Sequence, residues 1–270
     1  MKKILSLLFA VCMFFAFVGC GRGKDNEQEI PEEELFRIVR EEFQGKNVVI
    51  YGDSITVETS KSLWIEEGGK NWVDYLQSAL GFNKLGNFAA SGTFLTHSMS
   101  NVPAGSAIED RLSGVHYIAQ HAAENARADY AFIAYGTNDF AASTPMGTAE
   151  DDFSSYVEAD TFCGSVRLAV EMLREQNPDI QILFLTPIFR SNWSKLNPEN
   201  GVGFSLREYC QAILDMSEEL EYRAVNMYDD IFGWDNYMAG EGLTPDGLHP
   251  NGMGHRMMAM YLLDLDAQSE

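Results

Sequence analysis

Basic residues are scarce in this chain: 19 Lys and Arg stand against 40 Asp and Glu, a formal charge of −21 over 270 residues. A surface of that sign repels nucleic acid and anionic lipid headgroups. It also disfavours polyanionic substrates, unless a local basic patch overrules the average. Cysteine is scarcer, with only four residues (Cys12, Cys20, Cys163 and Cys210), and their spacing fits no metal motif. Internal repeats and low-complexity blocks are lacking, which excludes a repeat array. Long apolar runs are lacking too. The most apolar stretch, residues 4–18, is shorter than the ~20 residues that a membrane-spanning helix needs.

That stretch follows Met1-Lys2-Lys3 and ends at Gly19-Cys20. A basic start, an apolar centre and a small residue before the cut are the layout of a secretory signal. Phe17-Val18-Gly19-Cys20 resembles a bacterial lipobox, with Phe17 where the pattern usually has Leu. The resemblance implies that Cys20 becomes the lipidated first residue of an exported, cell-envelope lipoprotein. An uncleaved membrane anchor is the other reading, and both put the bulk of the chain outside the cytoplasm. Residues 21–30 read as a polar tether that buries too little to fold. Residues 31–270 read as one domain, long enough for a good-sized core. Loss of Lys2 and Lys3 makes the mature chain more negative by two charges. Removal of Cys12 and lipidation of Cys20 leave Cys163 and Cys210, each in an amphipathic stretch. An oxidising compartment permits a bridge between them, but buried free thiols are the favoured reading.

From residue 31 onward, helical and strand patterns alternate. Residues 31–43 carry Leu35, Ile38, Val39 and Phe43 on one helical face, with Gly45 past the end. Short runs at 48–51, 84–89, 130–135, 180–185 and 224–228 read as strands, the first of them apolar and buried on both faces. Between and after them, residues 71–80, 106–126, 155–175, 206–220 and 253–265 read as helices. Five strands alternating with helices mean a parallel sheet covered on both sides, a three-layer α/β/α sandwich.

In such sheets, ligands sit outside the carboxyl ends of the strands. Four polar stretches fall there or close by. Gly52-Asp53-Ser54-Ile55 ends the first strand and offers Ser54 as a nucleophile, although Asp-Ser after a strand also suits a plain turn. Asn87-Phe88-Ala89-Ala90-Ser91-Gly92 closes the second, and the Gly92 N–H is a candidate oxyanion donor. Gly136-Thr137-Asn138-Asp139 ends the third, where the Asn138 amide is either a second donor or a turn former. Near the end, Asp246-Gly247-Leu248-His249 puts a carboxylate and an imidazole three residues apart. The carboxylate can hold one ring nitrogen and leave the other aimed at a serine. His255, six residues on, reads as structural. A metal site made of Asp246, His249 and His255 is a remote alternative.

GDSI, N-x-A-x-S-G, GTND and DGLHPN in this order, on an alternating α/β chain, resemble the SGNH/GDSL hydrolase family from Val48 to the last helix. The resemblance implies a flavodoxin-like strand order and a serine esterase that needs no cofactor. Ser54, Asp246 and His249 would be the catalytic triad. The backbone N–H groups of Ser54 and Gly92, with the Asn138 amide, would form the oxyanion hole. Asp53 and Asp139 belong to the motifs and are assigned to local hydrogen bonding.

The family includes lipases, lysophospholipases, thioesterases and carbohydrate acetylesterases. An exported enzyme without a long apolar lid points to a short-chain (acetyl) esterase on carbohydrate. Arg190, Asn192 and Trp193, after the fourth strand, suit a sugar face, or equally a plain loop packed over Trp193. Trp64, Trp72 and Trp234 are assigned to the core or to partly buried positions. Two rival readings stand beside this one. One is a lysophospholipase or lipid esterase, which requires an apolar groove beside Ser54. The other is a surface lipoprotein that binds glycan without cleaving it, which needs none of Ser54, Asp246 or His249.

Overall fold

The computed structural model describes residues 40–58, 62, 64–66, 69–97, 112–191, 198–228 and 242–267. Its centre is β1 (Asn47–Gly52). Val48, Val49, Ile50 and Tyr51 in it have no solvent exposure. Each such side chain contributes roughly 1.5–3 kcal/mol through burial. The one polar atom this places inside is satisfied, because the Tyr51 hydroxyl donates to Asn125 Oδ1 at 2.7 Å.

Four further strands flank β1: β2 (Asn83–Asn87), β3 (Tyr130–Ala134), β4 (Gln181–Leu185) and β5 (Arg223–Val225). All pairings are parallel. The order β2-β1-β3-β4-β5 is flavodoxin-like, as expected. Its topological switch point falls beside β1. The described residues all lie in one unit spanning Glu32–Glu270.

Helices cover both faces. α1 (Arg40–Phe43) and α8 (Gly252–Ala267) pack with α2 (Trp72–Leu80). α3 (Gly114–Gln120), α4 (Ala122–Asn125), α6 (Phe162–Gln176) and α7 (Leu206–Glu219) pack together, and α5 (Thr137–Ala141) meets α7. α2 has the start and stop that its sequence announces: Asn71 forms a capping box with Asp74, and Gly81 ends the helix at φ 70°. Among the described residues no helix is long and apolar enough to cross a membrane. Cys163 and Cys210 are buried free thiols, as favoured above.

Three elements differ from the sequence reading within the described residues. The helix expected over 106–126 is broken at His121, whose φ of −104° and ψ of 33° separate α3 from α4. Its first donors, Gly114 N–H and Val115 N–H, are spent on the carbonyls of Phe94 and Leu95. The helix expected from 155 starts at Phe162 after an isolated turn, Tyr156–Glu158. There the Phe162 and Cys163 N–H groups bond the Pro145 and Met146 carbonyls. β5 stops at Val225 because the Asn226 side chain takes the Tyr228 N–H and the Met227 N–H turns to Thr186 Oγ1. Of the expected helix over 31–43, only its last turn lies within the described residues.

Candidate active site

β1 ends in a turn that leaves no room for a larger residue at Gly52, where a Cβ would lie 2.6 Å from the Thr56 side chain. Beyond it Asp53 turns inward, 3% exposed, and its Oδ1 accepts the Ile55 N–H at 2.9 Å. The Thr56 N–H bonds the Asp53 carbonyl at 3.0 Å. Ser54 sits between two inward-facing neighbours on this tight turn and is itself half-buried. Its Oγ lies 2.8 Å from His249 Nε2.

His249 stands on the loop that leads into α8. Asp246 organises that loop. Its Oδ1 accepts the backbone N–H groups of His249 (2.7 Å) and Leu248 (3.0 Å), and its Oδ2 is 2.6 Å from His249 Nδ1. One carboxylate thus fixes both the turn and the ring. Burial works against the charged form of Asp246, but these hydrogen bonds prevail and hold the carboxyl below its ordinary range. An ionised carboxylate requires an N–H at Nδ1, which leaves Nε2 as an acceptor for the Ser54 hydroxyl. The loop is anchored by Ser191 N–H to the Gly247 carbonyl and by Asn251 N–H to the Leu243 carbonyl, each at 2.8 Å.

The two remaining motif stretches are tied to the same place. The Ala90 N–H bonds the Gly52 carbonyl at 3.0 Å, which links the turn after β2 to the turn of Ser54. Gly92, exposed, adopts φ +76°, a backbone that favours glycine. Asn138, in the first turn of α5, donates from Nδ2 to the Thr93 carbonyl at 2.9 Å. Asp139, fully buried, accepts the Leu95 and Thr96 N–H groups at 2.9 and 3.1 Å. Asp53 therefore makes the local hydrogen bond expected of it, whereas Asp139 bonds a segment more than forty residues away. Burial raises both carboxyls, Asp139 to about 6 and Asp53 to about 7. For Asp53 the Ile55 N–H opposes burial, the Asp139 charge adds to it, and the Arg190 charge opposes it again.

Arg190, expected at the substrate, is half-buried and faces the scaffold. Its Nη1 donates to the Thr137 carbonyl at 2.9 Å and to Thr137 Oγ1 at 3.3 Å, next to Asn138. It also feels the charges of Asp53 and Asp246. Asn192, Trp193, Trp234 and Cys20 lie outside the described residues. Trp72 is in the core, with no exposure. Trp64 is half-buried and stacks beside His249, ring centres 5.7 Å apart and planes 11° from parallel. The sequence reading, core or partly buried, anticipated its burial but not its place beside the site. The available signal was an indole in the polar stretch just after the GDSI turn. His255 is 2% exposed on α8, and burial pushes it down to about 3, so it is neutral. Among the described residues no group of three His, Cys, Asp or Glu side chains is placed to hold a metal ion. A cavity of about 20 Å³, lined by Asp53, Ile55, Tyr135, Met227 and Met258 among others, borders the Ser54 turn from beneath.

Similar folds occur in solved structures of low identity. A Lactobacillus plantarum protein is 22% identical at a TM-score of 0.61, with 84% of this chain and 99% of that one covered. A Chitinophaga pinensis protein is 20% identical at a TM-score of 0.57, covering 83% and 98%. A variant of Axe2, an acetyl xylan esterase from Geobacillus stearothermophilus, is 18% identical at a TM-score of 0.53, covering 83% and 95%. No curated protein matches the sequence. Residues 50–257 match the GDSL-like lipase/acylhydrolase family, so the chain, with its serine, histidine and aspartate in line at the switch point of a flavodoxin-like sheet, belongs to that family of ester hydrolases.

Proposed function

We propose that this enzyme is a serine esterase that removes short acyl groups, acetyl above all, from carbohydrate. The observation that carries the reading is the unbroken line from Ser54 Oγ to His249 Nε2 (2.8 Å) and from His249 Nδ1 to Asp246 Oδ2 (2.6 Å). Ser54 Oγ attacks the ester carbonyl while His249 Nε2 takes the hydroxyl proton, and Asp246 stabilises the imidazolium that results. His249 then returns the proton to the leaving alcohol as the C–O bond breaks. In the second half, His249 takes a proton from water, whose oxygen attacks the acyl carbonyl, and returns it to Ser54 Oγ as the acyl–Oγ bond breaks. The Ser54 and Gly92 N–H groups and the Asn138 amide bind the oxyanion. One N–H of that amide is held by Thr93, which fixes the direction of the other.

One observation favours a small acyl group on a sugar. A structural neighbour of the same fold is an acetyl xylan esterase. The export signal read in residues 1–20 fits a substrate in the cell envelope, with lipidated Cys20 as the anchor. An unprocessed N-terminus by mass spectrometry of the membrane fraction would remove the anchor from this reading.

The deciding experiment follows hydrolysis of p-nitrophenyl esters from acetate to palmitate by the protein and its Ser54→Ala variant, then acetate release from acetylated xylan. Serine-dependent activity greatest on acetate is the expected result. A preference for long chains would make it a lipid esterase. A folded protein that hydrolyses no ester, and whose Ser54 resists a fluorophosphonate, would instead be a glycan-binding protein.

A further inference from the structure

The imidazole of His249 is held at both nitrogens, by Asp246 at Nδ1 and by Ser54 at Nε2. Those bonds lie at the ring edges and leave its faces open to water or to a packing partner. Trp64 supplies one partner, nearly parallel to the imidazole at 11°. The centre-to-centre distance of 5.7 Å is that of an offset stack. It also falls within the ~6 Å over which an aromatic face attracts a cation. Trp64 comes from the stretch after the nucleophile, whereas His249 comes from the loop before α8. The contact therefore joins two segments far apart in sequence.

We propose that Trp64 is a positioning residue for the catalytic base: its indole holds the His249 ring at the angle that serves Ser54 and stabilises the imidazolium formed when the serine proton is transferred. The proposal rests on His249 being that base. Two effects of an indole on a histidine oppose each other. Its π face favours the charged ring, while displacement of water disfavours it. The His249 side chain keeps 21% of its exposure, so the ring is not stripped of water. Among the described residues, four other groups bear on the charge. Asp246 bonds the ring directly. Arg190 acts on Asp246 from the β4 side. His255, on α8, is neutral and adds no charge. Ser54 is uncharged until it reacts.

Two measurements test this. The first needs no turnover. A protonated imidazole quenches a stacked indole, so Trp emission of the Ser54→Ala protein should fall as pH drops through the His249 titration. That fall should disappear when Trp64→Phe or His249→Ala is added. Emission curves that match with and without Trp64→Phe would overturn the stack. The second is the pH dependence of kcat/KM on p-nitrophenyl acetate. In Trp64→Leu the acid limb should move to lower pH, because the contact that favours the imidazolium is lost. kcat should fall several-fold at unchanged KM, and Trp64→Phe should restore most of both. An acid limb that stays in place in Trp64→Leu, or a change confined to KM, would overturn the positioning role. If no variant hydrolyses any ester, the esterase reading fails, and the emission curves still decide the stack.

Discussion

The side-chain amide of Asn138 donates to the main-chain carbonyl of Thr93 at 2.9 Å, so the first turn of α5 is bound to the turn that carries Gly92. In the proposed mechanism this contact sets the oxyanion donor before any substrate arrives. Removing one preorganised oxyanion donor costs roughly 10²–10³ in kcat. Asn138→Ala should lose that much with KM little changed. The domain should keep its fold, because a half-exposed hydrogen bond is worth only about 1 kcal/mol. Steady-state kinetics with a thermal melt of the same sample check both halves. A normal kcat would remove Asn138 from the oxyanion hole.

Asp246→Asn separates charge from geometry. The amide oxygen can still take the backbone N–H groups of Leu248 and His249, which the carboxylate now holds at 3.0 and 2.7 Å. It cannot stabilise the imidazolium or enforce an N–H at Nδ1. A loss of about 10⁴-fold in kcat is expected, with a near-native circular dichroism spectrum and melt.

Asp53 gives stability a pH dependence of unusual sign. Burial raises its folded-state carboxyl to about 7, above the ordinary value of 3.8 that the unfolded chain keeps. Between those values the folded state binds the extra proton, so this group's contribution to stability falls as pH rises from about 4 to 7. Asp53→Asn still accepts the Ile55 N–H but does not titrate. Relative to wild type, the variant should gain stability at pH 8 compared with pH 5, read from urea midpoints at both values. An equal difference at the two pH values would mean that Asp53 is ionised throughout.

Arg190 distinguishes scaffold from substrate contact. Its two bonds to Thr137 position the start of α5. Arg190→Met should lower kcat about ten-fold or more, because Asn138 loses its fixed direction while substrate contacts remain. A rise in KM at constant kcat would return Arg190 to the substrate-binding role read from the sequence.

Much of this enzyme is written in local pattern. The run Val48–Tyr51 can only be a strand buried on both faces, and the small polar residues that end β1, β2 and β3 mark the edge where ligands bind. Asp246 and His249 are three residues apart, so their contact is nearly a property of the loop itself. Each of these depends on neighbours in the chain, which is why residue order was enough. Tertiary contacts decided the rest. The late start of α6 at Phe162 reflects bonds to the carbonyls of Pro145 and Met146, which no helical periodicity foretells. Arg190 reads as a sugar contact from its loop, and that it also meets Thr137 is visible only in the fold. Trp64 reads as one more apolar residue until the loop before α8 brings His249 beside it. The type of residue sets what chemistry a position can offer, but which partner it meets is settled by packing between segments distant in the chain.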